Sequence, residues 1–110
     1  MASKRFAIGW SRVAEEWLKE IIKEIEKDTP LRAHTFTQRI FKATATLCIS
    51  PSRCPRLFED RRYRFLLVNK YRIVFRIEDE STSLARMVWI VAILYPYEQF
   101  SEHRFTLSIN

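Results

Sequence analysis

Asn69-Lys70-Tyr71-Arg72-Ile73-Val74-Phe75-Arg76-Ile77-Glu78, followed shortly by Arg86-Met87-Val88-Trp89-Ile90-Val91-Ala92-Ile93-Leu94-Tyr95, carries two strand patterns of different kinds. In the first half Tyr71, Ile73, Phe75 and Ile77 alternate with Arg72, Val74, Arg76 and Glu78, the period-two pattern of a strand with one buried face. The second half is apolar at nearly every position, so it should be a central strand covered on both sides. Between them Asp79 to Ser83 reads as a polar turn, and upstream Arg62 to Leu67 supplies a third strand. The three together predict an antiparallel meander.

Working outward, Phe6, Ile8 and Trp10 alternate with Arg5, Ala7 and Gly9 as a short first strand, after which Ser11 offers an N-cap. A helix to about Lys27 follows, because Val13, Ala14, Trp17, Leu18, Ile21, Ile22 and Ile25 recur at three-to-four spacing. Its other face pairs Glu15, Glu16, Glu20 and Glu24 with Lys19, Lys23 and Lys27, as solvated helix faces do. Thr29 caps a second helix with Pro30 at its first position, and Ala33, Phe36, Ile40, Ala43, Thr44 and Leu47 form its buried side. Ser50, Pro51 and Pro55 mark a loop. The expected class is α+β, with an antiparallel helix hairpin packed on one face of a largely antiparallel sheet.

A chain of 110 residues with 47% apolar residues and one Gly can build a core of its own. A single domain over 1–110 is expected, its core spanning about 5–97 and a C-terminal tail 98–110, where Phe105, Leu107 and Ile109 alternate weakly. The longest apolar run, Met87 to Leu94, is less than half of the roughly 20 residues that cross a bilayer. No apolar signal-peptide region follows the start. These features exclude a membrane role and predict a cytoplasmic protein. Cys48 and Cys54 are expected as free, partly buried thiols. With only His34 and His103 beside them at unhelpful spacing, no metal site is expected, and without a Gly-rich loop no cofactor either.

Residues 53–76 carry Arg53, Arg56, Arg61, Arg62, Arg64, Lys70, Arg72 and Arg76 against Glu59 and Asp60, which accounts for the whole net charge of +6. Arginine suits bidentate contact with phosphate or carboxylate, so this segment is a candidate surface for nucleic acid or an acidic partner. The register of the hairpin at Asn69 decides which arginines gather. A two-residue loop would place Arg62 and Arg64 among Leu66, Tyr71, Ile73 and Phe75. A three-residue loop, Val68 to Lys70, would put Tyr63, Phe65 and Leu67 on that apolar face and collect Arg62, Arg64, Arg72 and Arg76 on the other. Because an unpaired buried guanidinium costs several kcal/mol, the odd-numbered loop is expected, with Asn69 or Lys70 left-handed.

The segments Asn69 to Glu80 and Val88 to Tyr95, with Ile8-Gly9-Trp10-Ser11 and Ala14 at the start, resemble the RelE/ParE superfamily of toxins from bacterial type II toxin–antitoxin systems. The resemblance runs from about residue 5 to residue 97. It implies a small basic toxin neutralised by a cognate antitoxin, here expected to be acidic, amphipathic and folded on binding. A homo-oligomer is left open.

RelE-like members cut mRNA on the ribosome, and ParE-like members poison DNA gyrase. By resemblance Arg72 takes the place of the arginine set against the scissile phosphate, Arg64 a basic place on the preceding strand, and Tyr97 that of a terminal tyrosine in some nucleases. Tyr95-Pro96-Tyr97 stands where some members have His, which leaves Tyr95 and Tyr97 as the catalytic candidates beside the arginines. Arg56, Arg61, Arg62, Arg64, Lys70, Arg72 and Arg76 are the expected binding residues.

Metal-independent RNA cleavage needs a base, an acid and cations for the phosphate. The arginines meet only the last need, and a tyrosine with a pKa of roughly 10 is a poor base. Glu59 and Asp60 could serve, or could form loop ion pairs. The sequence leaves open an endoribonuclease, a non-enzymatic gyrase poison, and a degenerate toxin that only binds its antitoxin.

Overall fold

Ser11 shows how the first elements are joined. In the computed structural model, which describes residues 5–79 and 86–101, strand β1 (Ala7–Trp10) ends at this residue and helix α1 (Arg12–Asp28) begins. The Ser11 hydroxyl accepts from the Ala14 N–H at 3.1 Å, satisfying one of the orphan donors of the first turn. Its own N–H donates to the Ile90 carbonyl at 2.9 Å, so the cap also pins the helix to the sheet. Thr29 is the single extended residue between α1 and α2 (Pro30–Ala45), and Pro30 opens the second helix. Ala14, Leu18 and Ile21 meet Phe36 and Ile40 in one buried cluster, as the stripes in the sequence predict.

Two short 3-10 turns, Thr46–Cys48 and Pro51–Arg53, lead into the loop before strand β2 (Arg64–Val68). Strands β3 (Tyr71–Asp79) and β4 (Arg86–Leu94) complete a sheet of order β1-β4-β3-β2. The meander β2-β3-β4 is antiparallel as expected, while β1 pairs with β4 in parallel, so the sheet is mixed. Gly9 lies where a Cβ would come 2.5 Å from Cζ3 of Trp89, which is why this strand position carries no side chain. Residues 80–83 of the polar turn and the alternation at Phe105, Leu107 and Ile109 lie outside the described residues.

β4 is central and buried on both faces. The register shifts between Val74, opposite Ala92, and Phe75, opposite Ile90, so Val91 is an extra, bulged residue. The bulge resets the alternation. Val88, Ile90 and Ile93 all face the helices, whereas Ala92 and Leu94 face the other way, against Val74, Leu57, Tyr63 and Phe100. The second face is therefore covered by the loop before β2 and by the segment after β4.

The β2–β3 loop has two residues, not three. Asn69 and Lys70 have φ of 49° and 73°, and Val68 lies opposite Tyr71. Both are left-handed, which gives the primed turn whose twist suits its strands. Arg64 then lies opposite Phe75 on the helix side, and Arg72 on the far side with Phe65 and Leu67. The expected four-arginine face is thus not formed. Arg64, first residue of the edge strand, is not buried alone. Its Nη1 donates to the carbonyls of Ser52 at 3.1 Å and Cys54 at 2.7 Å, and Arg62 precedes the strand altogether.

Candidate functional site

On the sheet face away from the helices Arg72 is the hub. Its position on β3 aims it between the loop before β2 and the segment after β4. Nη1 and Nη2 donate to both oxygens of Glu59 at 2.9 and 2.7 Å, and Nη2 donates also to the Glu98 carbonyl at 2.7 Å. The guanidinium carbon stands 5.8 Å from the centre of the Phe65 ring. Glu59 closes the arrangement by accepting from the Phe100 N–H at 3.0 Å. The Arg72 and Glu59 side chains are only 22% and 14% exposed, so this pair is shielded from water in a way surface ion pairs are not.

The electrostatics follow from that geometry. Arg72 hydrogen bonding holds the Glu59 carboxyl at about 2, against the cost of burial and with help from the Phe100 N–H. The same hydrogen bond raises the Arg72 guanidinium above its ordinary value. Asp60 is lowered too, by Arg62, which it grips through the backbone N–H at 3.1 Å and the guanidinium at 3.0 and 2.7 Å. Of the two roles open to Glu59 and Asp60, the geometry carries that of loop ion pairs.

The other candidates are dispersed. Arg76 pairs with Glu78 at 2.7 Å, and Glu78 also accepts from the Trp89 indole at 3.1 Å. Arg56 donates to the Arg61 carbonyl at 2.7 Å. Arg61 and Lys70 are exposed. Arg64 is turned to the opposite side, as described. Tyr95 rests on Tyr71 with ring centres 5.6 Å apart, and burial pushes its hydroxyl pKa up, helped by Tyr71, Glu20, Glu24 and Glu98. That moves it further from use as a base at neutral pH. Tyr97 stands fully in solvent with φ of 73°.

Cys48 and Cys54 are free thiols, and burial raises Cys54. No group of three or more His, Cys, Asp or Glu fit to hold a metal exists among the described residues. No described helix is long and apolar enough to cross a membrane. Sequence reasoning missed Phe58, Glu98 and Phe100. The signal for Glu98 and Phe100 was absent, since a backbone carbonyl and one aromatic in a polar tail carry no pattern.

Residues 8–95 match the family described as ParE toxin of type II toxin-antitoxin system, parDE. No curated protein matches. Among solved structures, a chain of the chromosomal ParDE TA system from P. aeruginosa is similar with a TM-score of 0.68 at 20% identity. The match covers 80% of this chain and 92% of that one, and at such identity it speaks for the fold alone. The family match spans most of the chain and agrees with the resemblance read from Tyr71 to Ile77 and Val88 to Tyr95: the chain belongs to the ParE toxin family of type II toxin-antitoxin systems.

Proposed function

We propose that this toxin arrests bacterial growth from the cytoplasm by binding a protein target, DNA gyrase, and does not cut RNA. The observation that carries the reading is the occupancy of Arg72. A guanidinium that neutralises a phosphate in a transition state must point its donors at that phosphate. Here three donations go to Glu59 and Glu98 instead. Reaching a phosphate would first require breaking a shielded pair, which costs several kcal/mol. Tyr95, with its raised pKa, is no better placed to supply the base. A protein target needs neither group, only a stable surface. Its partner in neutral storage is the cognate antitoxin that the family implies, and the excess of basic residues suits an acidic one.

Expression of the toxin without an antitoxin should stop growth. In the same culture, RNA ends are mapped and the DNA-damage response is assayed. The expected result is broken DNA with an induced damage response and no new RNA ends. Ribosome-dependent cuts in mRNA during arrest would overturn the reading in favour of an RNase. Normal growth at verified protein levels would favour a degenerate toxin.

A further inference from the structure

Arg72 grips Glu59 and Glu98 at once, and the chain neighbours of those two residues are Phe58 and Tyr97. Phe58 is 92% exposed and Tyr97 102%, while Leu67, the cross-strand neighbour of Arg72, is 63% exposed. Three large apolar side chains thus stand in solvent around one shielded ion pair. Exposed apolar residues scattered singly are ordinary. These are instead fixed to a common anchor. Tyr97 is moreover held in the left-handed region at φ 73°, where a bulky residue is an outlier. The Tyr95 N–H donates to the Glu98 carboxylate and the Glu98 N–H to the Tyr95 carbonyl, both at 3.0 Å, which locks that conformation. Strain kept at a solvent-exposed ring points to a use for the ring outside the molecule.

We infer that Phe58, Tyr97 and Leu67 form the surface through which the toxin seizes its target protein, in an apolar depression with an acidic rim. The inference rests on the protein-target reading proposed above. Aromatic residues at the centre with arginine at the margin is the composition of interface hot spots. The margin here is Arg56 and Arg61, both exposed. A second copy of the chain fits poorly, because a two-fold interface would set these arginines against themselves. RNA fits less well than protein. Arg62 and Arg76 already carry their own carboxylates, which leaves few open cations to follow a phosphate backbone.

The test uses the full chain carrying Phe58→Ala with Tyr97→Ala, and separately Tyr97→Gly, which removes the ring while suiting the left-handed backbone. Read out are the expression level needed for arrest, the thermal melt, and co-purification with the co-expressed antitoxin. The double variant is expected to need about 100-fold more protein for arrest, as the loss of two hot-spot anchors implies, with melt and antitoxin capture unchanged. Tyr97→Gly should melt no lower than the parent and still lose arrest, so a fold defect in the double variant cannot hide the outcome. Arrest by Tyr97→Gly at parental levels would overturn the inference. Loss of antitoxin capture with arrest intact would overturn it too, by assigning the patch to the antitoxin. If the parent chain makes ribosome-dependent RNA ends that these variants fail to make, the occupant is RNA and the protein-target reading fails as well. Unchanged arrest without RNA ends would refute the patch alone.

Discussion

Replacing Arg72 with alanine is expected to lower the stability of the fold by about 3 kcal/mol, although the residue lies outside both buried clusters. Removing one member of a shielded ion pair leaves the other charged and unpaired, which costs roughly 3–5 kcal/mol when burial is complete. The remaining exposure of the Arg72 and Glu59 side chains, 22% and 14%, places this pair at the lower end. The same change also frees the Glu98 carbonyl, so the segment that brings Phe100 onto Val74, Ala92 and Leu94 loses its tie. The sequence alone suggests a surface arginine, for which a change within about 0.5 kcal/mol is usual. Differential melting decides between them: a drop of roughly 10–20 °C is expected for a domain of this size, and a drop of one or two degrees would show that the tie contributes little. Lys at this position should fall between, since an ammonium keeps the charge and loses the two-pronged contact.

Acid should remove nearly as much. The Glu59 carboxyl titrates at about 2 in the folded protein against an ordinary value of 4.5. A carboxyl whose folded pKa is depressed contributes stability that is complete above its unfolded value and is lost as pH falls through the folded one. The window is therefore from about 4.5 down to about 2. At about 1.4 kcal/mol per pH unit the loss is on the order of 3 kcal/mol. Asp60, lowered by Arg62, acts in the same direction. Denaturant midpoints measured across this window should fall steeply for the parent and less steeply for Glu59→Gln, which starts lower. Equal slopes for the two proteins would mean that Glu59 is not held by Arg72 in solution.

Much of the fold was legible because it follows from local pattern. The helix stripes, the cap at Ser11, the Thr29-Pro30 junction and the doubly covered β4 each depend on residues close in sequence, and each stands as read. What failed was long-range. The parallel pairing of β1 with β4 leaves no mark in either strand. The cost of burying Arg64 favours a three-residue hairpin loop, but the carbonyls of Ser52 and Cys54 remove that cost, and turn chemistry then decides the register. The site was read from the positions of the arginines without their partners. Whether Arg72 meets a phosphate or a carboxylate depends on Glu59, far enough in sequence that only the folded chain brings them together.

Arg72 ties the loop and the C-terminal segment in place, and in the proposed function it does not touch a phosphate. Growth arrest by the charge-swapped chain, Glu59→Arg with Arg72→Glu, tests it most directly, read beside each single change at a temperature where the melt shows all the chains folded. A swapped pair keeps the ion pair between β3 and the loop before β2, gives up the donations to the Glu98 carbonyl and from the Phe100 N–H, and removes the cation from position 72. The swapped chain is expected to melt above Arg72→Ala and still to arrest growth with broken DNA and no new RNA ends. A swapped chain that is folded and harmless would contradict it, because the arginine itself, at that position, would then be what the toxin needs.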